Sequence, residues 1–184
     1  KIQKKLKFPV VIKPINEGSS LGVYICKDRS EFKKNYAKLE KKYDKILLEE
    51  YIPGREIQVA VMGKKALGAI ELIPKRKFYD YNAKYSNKAK TKHIMPAPIS
   101  SKKYKEVLKY AKKAHRLLRC RGITRSDFRF HKDKFYLLEV NTQPGMTKLS
   151  LVPEIGEYCG IKFENLVDWM IKDASTNRWK KIIE

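Results

Sequence analysis

The stretch that most constrains this chain is Phe135 to Leu151, FYLLEVNTQPGMTKLSL. Phe135, Tyr136, Leu137, Leu138 and Val140 are residues that a pleated surface accommodates well, so the run is expected to open as a buried strand. Two polar acceptors interrupt it, Glu139 and Asn141. They are two positions apart, so on an extended strand both point to one face. The following NTQPG ends the strand as a turn. A second extended run, ITRSDFRF, precedes it, joined through His131, Lys132, Asp133 and Lys134, which read as a hairpin turn. Folding that hairpin brings Asp127 close to Glu139, and a three-residue loop or a bulge would set the two directly opposite. A lone Asp or Glu on a strand is most often a solvated residue paired with a lysine. Two carboxylates and a carboxamide on one face, with Arg125 beside them, instead suit a hard cation that takes oxygen ligands.

Composition narrows the setting of that hairpin. The chain has 184 residues, of which 42% are hydrophobic, enough for one large domain or two small ones. No stretch approaches the roughly 18–20 apolar residues of a membrane helix, and the basic opening KIQKKLKFPVVIKP holds too short an apolar run for a secretory signal. It has no initiator Met and begins almost directly with a strand, as expected of part of a larger protein. Cys26, Cys120 and Cys159 are an odd number without CxxC spacing. They point to a reduced, cytoplasmic protein without structural disulfides or zinc, each cysteine serving as a small buried apolar residue. The formal charge is +22, from 42 basic and 20 acidic residues. The lysines are scattered as pairs along helices and turns, which reads as solvated faces that attract phosphate-bearing ligands, without specific nucleic-acid binding.

In chain order, Pro9 to Ile12 reads as a strand ending at Lys13-Pro14. The loop INEGSSLG follows, then a strand, VYIC. A Gly/Ser loop between strands offers backbone N–H groups and hydroxyls to phosphate oxygens, although a plain hairpin loop is its commoner use. Ser30 to Tyr43 is expected as a helix capped by Ser30, and Lys45 to Tyr51 as a strand broken by Pro53-Gly54. Glu56 to Met62 and ALGAIELI form an antiparallel hairpin. Pro74 to Pro98 is the longest segment without periodicity, and a loop of that length is usually functional or disordered. Lys102 to Arg119 is a helix with Val107, Leu108, Ala111, Ala114, Leu117 and Leu118 inward. Leu151 to Cys159 and Phe163 to Ile183 are closing helices, the latter docking through Leu166, Val167, Met170 and Ile171.

The runs VIKPINEGSSLGV, LLEEYIPGREIQVAV, FYDYNAKY, TRSDFRF and LLEVNTQPGMTKLSLVP together resemble the D-alanine–D-alanine ligases of the ATP-grasp superfamily. The resemblance runs from about Pro9 to Met170, with the motifs in the family's order. It implies an α+β, ATP-grasp fold of two lobes whose antiparallel sheets sandwich the nucleotide, with residues 1–57 as part of the nucleotide-binding lobe and 58–184 as the C-terminal lobe. It implies that Lys13 contacts nucleotide phosphates beneath a covering loop of Glu17, Gly18, Ser19 and Ser20. Glu49, Glu50, Tyr51 and Ile52 would hold adenine, and Glu56 the ribose. Lys84, on a mobile loop, would reach the γ-phosphate, and Tyr85 would close the site with Ser19. Asp127, Glu139 and Asn141 match magnesium ligands, with Mn²⁺ an acceptable substitute. Arg125 and the Gly145 backbone match the oxyanion-stabilising pair, and Ser150 and Leu151 the pocket for the second D-alanine.

The activity implied is ATP-dependent joining of two D-alanines through an acyl phosphate, for peptidoglycan, in the cytoplasm. The alternative kept beside it is a non-catalytic remnant that binds nucleotide or a partner chain. The family's first lobe and the start of its ATP-binding domain have no counterpart in this sequence. A separate chain carrying that lobe is therefore a partner to expect. Family members are commonly dimers, but their dimer surface comes partly from the absent lobe, so homodimer and monomer both stay open.

Overall fold

A computed structural model describes residues 6–74, 91–147 and 149–175. The described chain forms two compact units, the first of which also takes Pro74 and residues 91–92, with the main division after Pro53. This falls ahead of the boundary expected at 57/58, because β4 starts at Arg55 and takes Glu56 and Ile57 into the second unit.

The first unit is a three-stranded antiparallel sheet of order β2-β1-β3 with one helix. Its elements are β1 (Val10–Pro14), β2 (Tyr24–Cys26), α1 (Arg29–Leu39) and β3 (Ile46–Glu50). Val10, Ile12, Cys26 and Leu39 form its core, with Phe32, Tyr43 and Leu48 packed around them. The cap of α1 is Asp28 and not Ser30: the Asp28 carboxylate accepts from the Glu31 N–H at 2.9 Å. An aspartate two positions earlier reaches the free first-turn donors and also places negative charge at the helix N-terminus.

The second unit is a five-stranded antiparallel sheet of order β6-β5-β4-β7-β8. Its strands are β4 (Arg55–Met62), β5 (Lys65–Ile73), β6 (Lys92–Ile94), β7 (Ile123–His131) and β8 (Lys134–Asn141). Strand β6 lies inside the segment expected to lack regular structure. Helix α2 (Ser101–Leu117) covers one face, with Val107 and Ala111 in a cluster with Ile57, Val59, Val61, Ala69 and Phe128. Its buried stripe runs Val107, Ala111, His115, while Leu117 and Leu118 are 66% and 62% exposed. The periodicity was right and its end wrong, because the histidine and not the leucines meets the sheet. His115 Nδ1 and Thr124 Oγ1 of β7 are hydrogen-bonded at 2.8 Å. Helices α3 (Leu151–Tyr158) and α4 (Phe163–Asp173) follow, with Leu166 buried and Ile171 exposed, contrary to the docking face expected for it. Cys26 alone of the three cysteines is buried; Cys120 is half-buried and Cys159 exposed, and all three are free thiols.

One expectation about the organising stretch fails. Strand β8 is an edge strand, with Tyr136, Leu137 and Leu138 all exposed. Its apolar run reads like a central strand, but of that run just Phe135 and Val140 are half-buried, Phe135 stacking on Phe130 at 4.5 Å.

Candidate active site

The β7–β8 hairpin turns through Lys132 and Asp133, both at positive φ (46° and 62°), the geometry of a two-residue loop that matches strand twist. His131 pairs with Lys134, Phe130 with Phe135 and Phe128 with Leu137. Beyond Phe128 the register shifts, Leu138 is the extra residue, and Asp127 faces Glu139 while Arg125 faces Asn141. A bulge is thus what sets the two carboxylates opposite each other; without it Leu138 would stand there. Phe128 belongs to the α2-packed core, so by alternation Arg125, Asp127 and Arg129 share the other face.

On that face Arg125 forms a two-pronged pair with Asp127, Nε to Oδ1 at 2.8 Å and Nη2 to Oδ2 at 2.9 Å. Both side chains are largely buried, at 14% and 12% exposure, which makes the charge-assisted pair a fixed feature of the site. Arg129 pairs with Glu56 across to β4 at 2.7 Å and donates to the Gly54 carbonyl at 3.0 Å. The expected ribose-binding acid is therefore held by a guanidinium. Asn141 Oδ1 accepts from the Gln143 N–H at 3.0 Å, an Asx turn that starts the NTQPG loop. Further along, the Ser150 hydroxyl accepts from the Thr147 N–H at 3.1 Å and lies 2.9 Å from Thr147 Oγ1. A Cβ on Gly145 would come within 2.9 Å of Ser150 Oγ, so glycine here lets the loop close on Ser150. Ser150 precedes α3 but its side chain does not cap it; Leu151, the first residue of α3, is buried.

In the first unit Lys13 Nζ lies 2.6 Å from a Glu49 carboxylate oxygen. The residue expected at the phosphates and one expected at adenine are thus held together in this structure. Ser19 and Ser20 both adopt positive φ (52° and 60°), and Leu21 donates its N–H to the Gly18 carbonyl at 3.0 Å. Side-chain-bearing residues held left-handed in succession form a strained, tight loop of the kind found where backbone must approach a ligand. Tyr43 donates to Glu17 at 2.9 Å, and that bond pushes the phenol above its usual value. Tyr51 donates its backbone N–H to the Pro9 carbonyl at 3.3 Å, and Glu50, Tyr51 and Ile52 lead out of β3. Lys84 and Tyr85 lie outside the described residues.

Among the described residues no three His, Cys, Asp or Glu side chains converge. The oxygen donors brought together are two carboxylates and one carboxamide, Asp127, Glu139 and Asn141. Reading the sequence missed Gln58. It alternates with Ile57 and Val59 and so looks like a solvent-facing residue of β4, yet it is 4% exposed and faces Asp127 directly. Only the cross-strand register reveals it.

The comparisons with known proteins decide the family. The model of the D-ala D-ala ligase C-terminus matches residues 1–172. The chain belongs to that family. It is 60% identical over 177 residues to a D-alanine–D-alanine ligase of Pelagibacter ubique, covering 96% of this chain and 58% of the relative. Among solved structures it is similar to the D-alanine–D-alanine ligase of Bacillus anthracis, with a TM-score of 0.83 and 32% identity over 100% of this chain and 59% of that one. The same enzyme complexed with ATP gives a TM-score of 0.80 at 30% identity, covering 100% and 58%. The chain spans somewhat under three fifths of the length of these relatives. The α+β architecture with antiparallel sheets is that of the ATP-grasp ligases.

Proposed function

We propose that this chain carries the phosphoryl-transfer half of an ADP-forming D-alanine–D-alanine ligase of the cytoplasm, serving peptidoglycan synthesis. The observation that carries the reading is the face of the β7–β8 hairpin, where Asp127 opposes Glu139 and Arg125 opposes Asn141. Asp127, Glu139 and Asn141 would hold Mg²⁺, or Mn²⁺ in its place; their oxygen-only donors suit such ions. The bound ion would supply neutralisation of phosphoryl charge. Lys13 would turn from Glu49 to nucleotide phosphates under the Glu17–Ser20 loop. Glu49, Glu50, Tyr51 and Ile52 would line the adenine, and Glu56 would take the ribose.

The chemistry has two displacements. The carboxylate of one D-alanine attacks the γ-phosphorus of ATP, giving an acyl phosphate and ADP. The amine of a second D-alanine attacks the acyl carbon, phosphate leaves, and the amine loses a proton. Arg125, already pinned by Asp127, and the Gly145 N–H would stabilise the tetrahedral oxyanion. Ser150 and Leu151 would position the second D-alanine. An acyl phosphate must be kept from water, and Lys84 and Tyr85 would belong to the closing loop. By the resemblance, one wall of the first D-alanine site comes from a lobe outside this sequence, which would act as a further part or a partner chain, with or without dimerisation.

The test is ADP release from Mg-ATP by the chain, with and without D-alanine. D-alanine-dependent release supports ligation. Nucleotide binding without release supports the remnant, and absence of both defeats the nucleotide site.

A further inference from the structure

Among the described residues, the Gln58 Oε1 atom is buried without a hydrogen-bond partner. A buried carbonyl oxygen of this kind is costly if nothing satisfies it, so it needs either a structural explanation or a ligand. Among the described residues, its strand neighbours supply no donor. Across β5 it faces Ile70, and across β7 it faces Asp127. Along its own strand, the neighbours on the same face are Glu56 and Ala60. A carboxylate only accepts hydrogen bonds, and Ile and Ala offer nothing. The two arginines on this face are engaged by other groups: Arg125 grips Asp127, and Arg129 grips Glu56 and the Gly54 carbonyl. The other buried orphan among the described residues, Ser126 Oγ, lies on the α2-packed face, away from the carboxylates.

Gln58 thus ends a row across three strands, Gln58–Asp127–Glu139, on one face. Adjacent members of such a row stand about 4.5–5.5 Å apart at Cβ. The outer donor must come from something bound against Asp127. Deprotonated phosphate oxygens carry no hydrogen to give. Water bound to a divalent cation does, and Mg²⁺ keeps several such waters. We infer that Gln58 is a positioning residue of the metal centre: its Oε1 accepts a hydrogen bond from a water on the cation held by Asp127, Glu139 and Asn141. The inference rests on the metal centre proposed above.

The experiment titrates the full chain with Mn²⁺ alone, reading free ion by electron paramagnetic resonance, with thermal unfolding recorded in parallel. Gln58→Met keeps the length and removes the acceptor, and is expected to weaken Mn²⁺ binding about tenfold, the lower end for loss of an outer-shell partner. Its melting temperature is expected to match or exceed that of the parent, because no internal hydrogen bond is lost. Gln58→Glu restores an acceptor oxygen and is expected to bind Mn²⁺ as tightly as the parent or more tightly. The inference is overturned if Gln58→Met binds Mn²⁺ like the parent, including the case in which only the KM for D-alanine rises. It is also overturned if that variant melts well below the parent while Gln58→Glu fails to restore affinity. Asp127→Asn separates the two levels. If it abolishes Mn²⁺ binding while Gln58→Met does not, only the role of Gln58 falls. If Asp127→Asn binds normally, or the parent binds no Mn²⁺, the metal centre itself is wrong.

Discussion

The two faces of the five-stranded sheet are built from the same strands and do opposite things. On one, Ile57, Val59, Val61 and Phe128 meet Val107 and Ala111 of α2 in a closed apolar layer. On the other, Glu56, Gln58, Arg125, Asp127, Arg129, Glu139 and Asn141 crowd charged and amide groups together, two of the arginines already spoken for by carboxylates. A sheet needs only one apolar face to be stable. The other is then free to carry groups that fold poorly but bind well, and Gln58, buried with an unsatisfied oxygen, shows that it does so at some cost to stability.

If that division holds, substitutions should separate cleanly. Ile57→Ala on the packed face should cost about 2–5 kcal/mol in urea unfolding, the range for truncating a buried Ile, while the protein that remains folded binds Mn²⁺ normally. A loss of metal affinity in the folded fraction would break the comparison. Glu139→Gln on the other face should lower metal-dependent ADP release by about two orders of magnitude, since a bound ion supplies several kcal/mol, with an unchanged urea midpoint. Surviving turnover would remove Glu139 from the metal centre.

A finer test uses the buried histidine of α2 on the packed face. Burial holds His115 below its usual 6.5. The unfolded chain therefore takes up a proton where the folded one does not. Stability from this group is complete above the unfolded value and is lost as pH falls through it towards the folded value. Urea midpoints should drop on the acid side of 6.5, and His115→Gln should flatten that part of the profile. An unaltered acid slope would mean that other groups set it. The smallest effect is expected at Leu117, 66% exposed despite its place in the helical repeat. Leu117→Lys should change stability by no more than about 0.5 kcal/mol, as at other surface positions. A cost of several times that would mean that this end of α2 is covered in solution.

Much of this was legible beforehand. The hairpin, its turn and the pairing of Asp127 with Glu139 follow from alternation and turn chemistry, which are local. The alternative routes to that pairing, a longer loop or a bulge, were not separable, because a bulge depends on how both strands twist against their neighbours. The Asp28 cap was missed in favour of Ser30, since both residue types cap and only backbone geometry chooses between them.

What the sequence determined by itself was the set of elements and the chemistry they can carry: apolar periods, glycine turns, oxygen donors spaced to share a face. These are properties of neighbours along the chain. What tertiary structure decided was which strand lies at an edge, which polar residue is buried, and which charge each charge meets. Tyr136, Leu137 and Leu138 look like core and are exposed, and Gln58 looks exposed and is core. Burial belongs to the assembled sheet, where a residue's fate is set by the strands on either side of it and not by its own place in the chain.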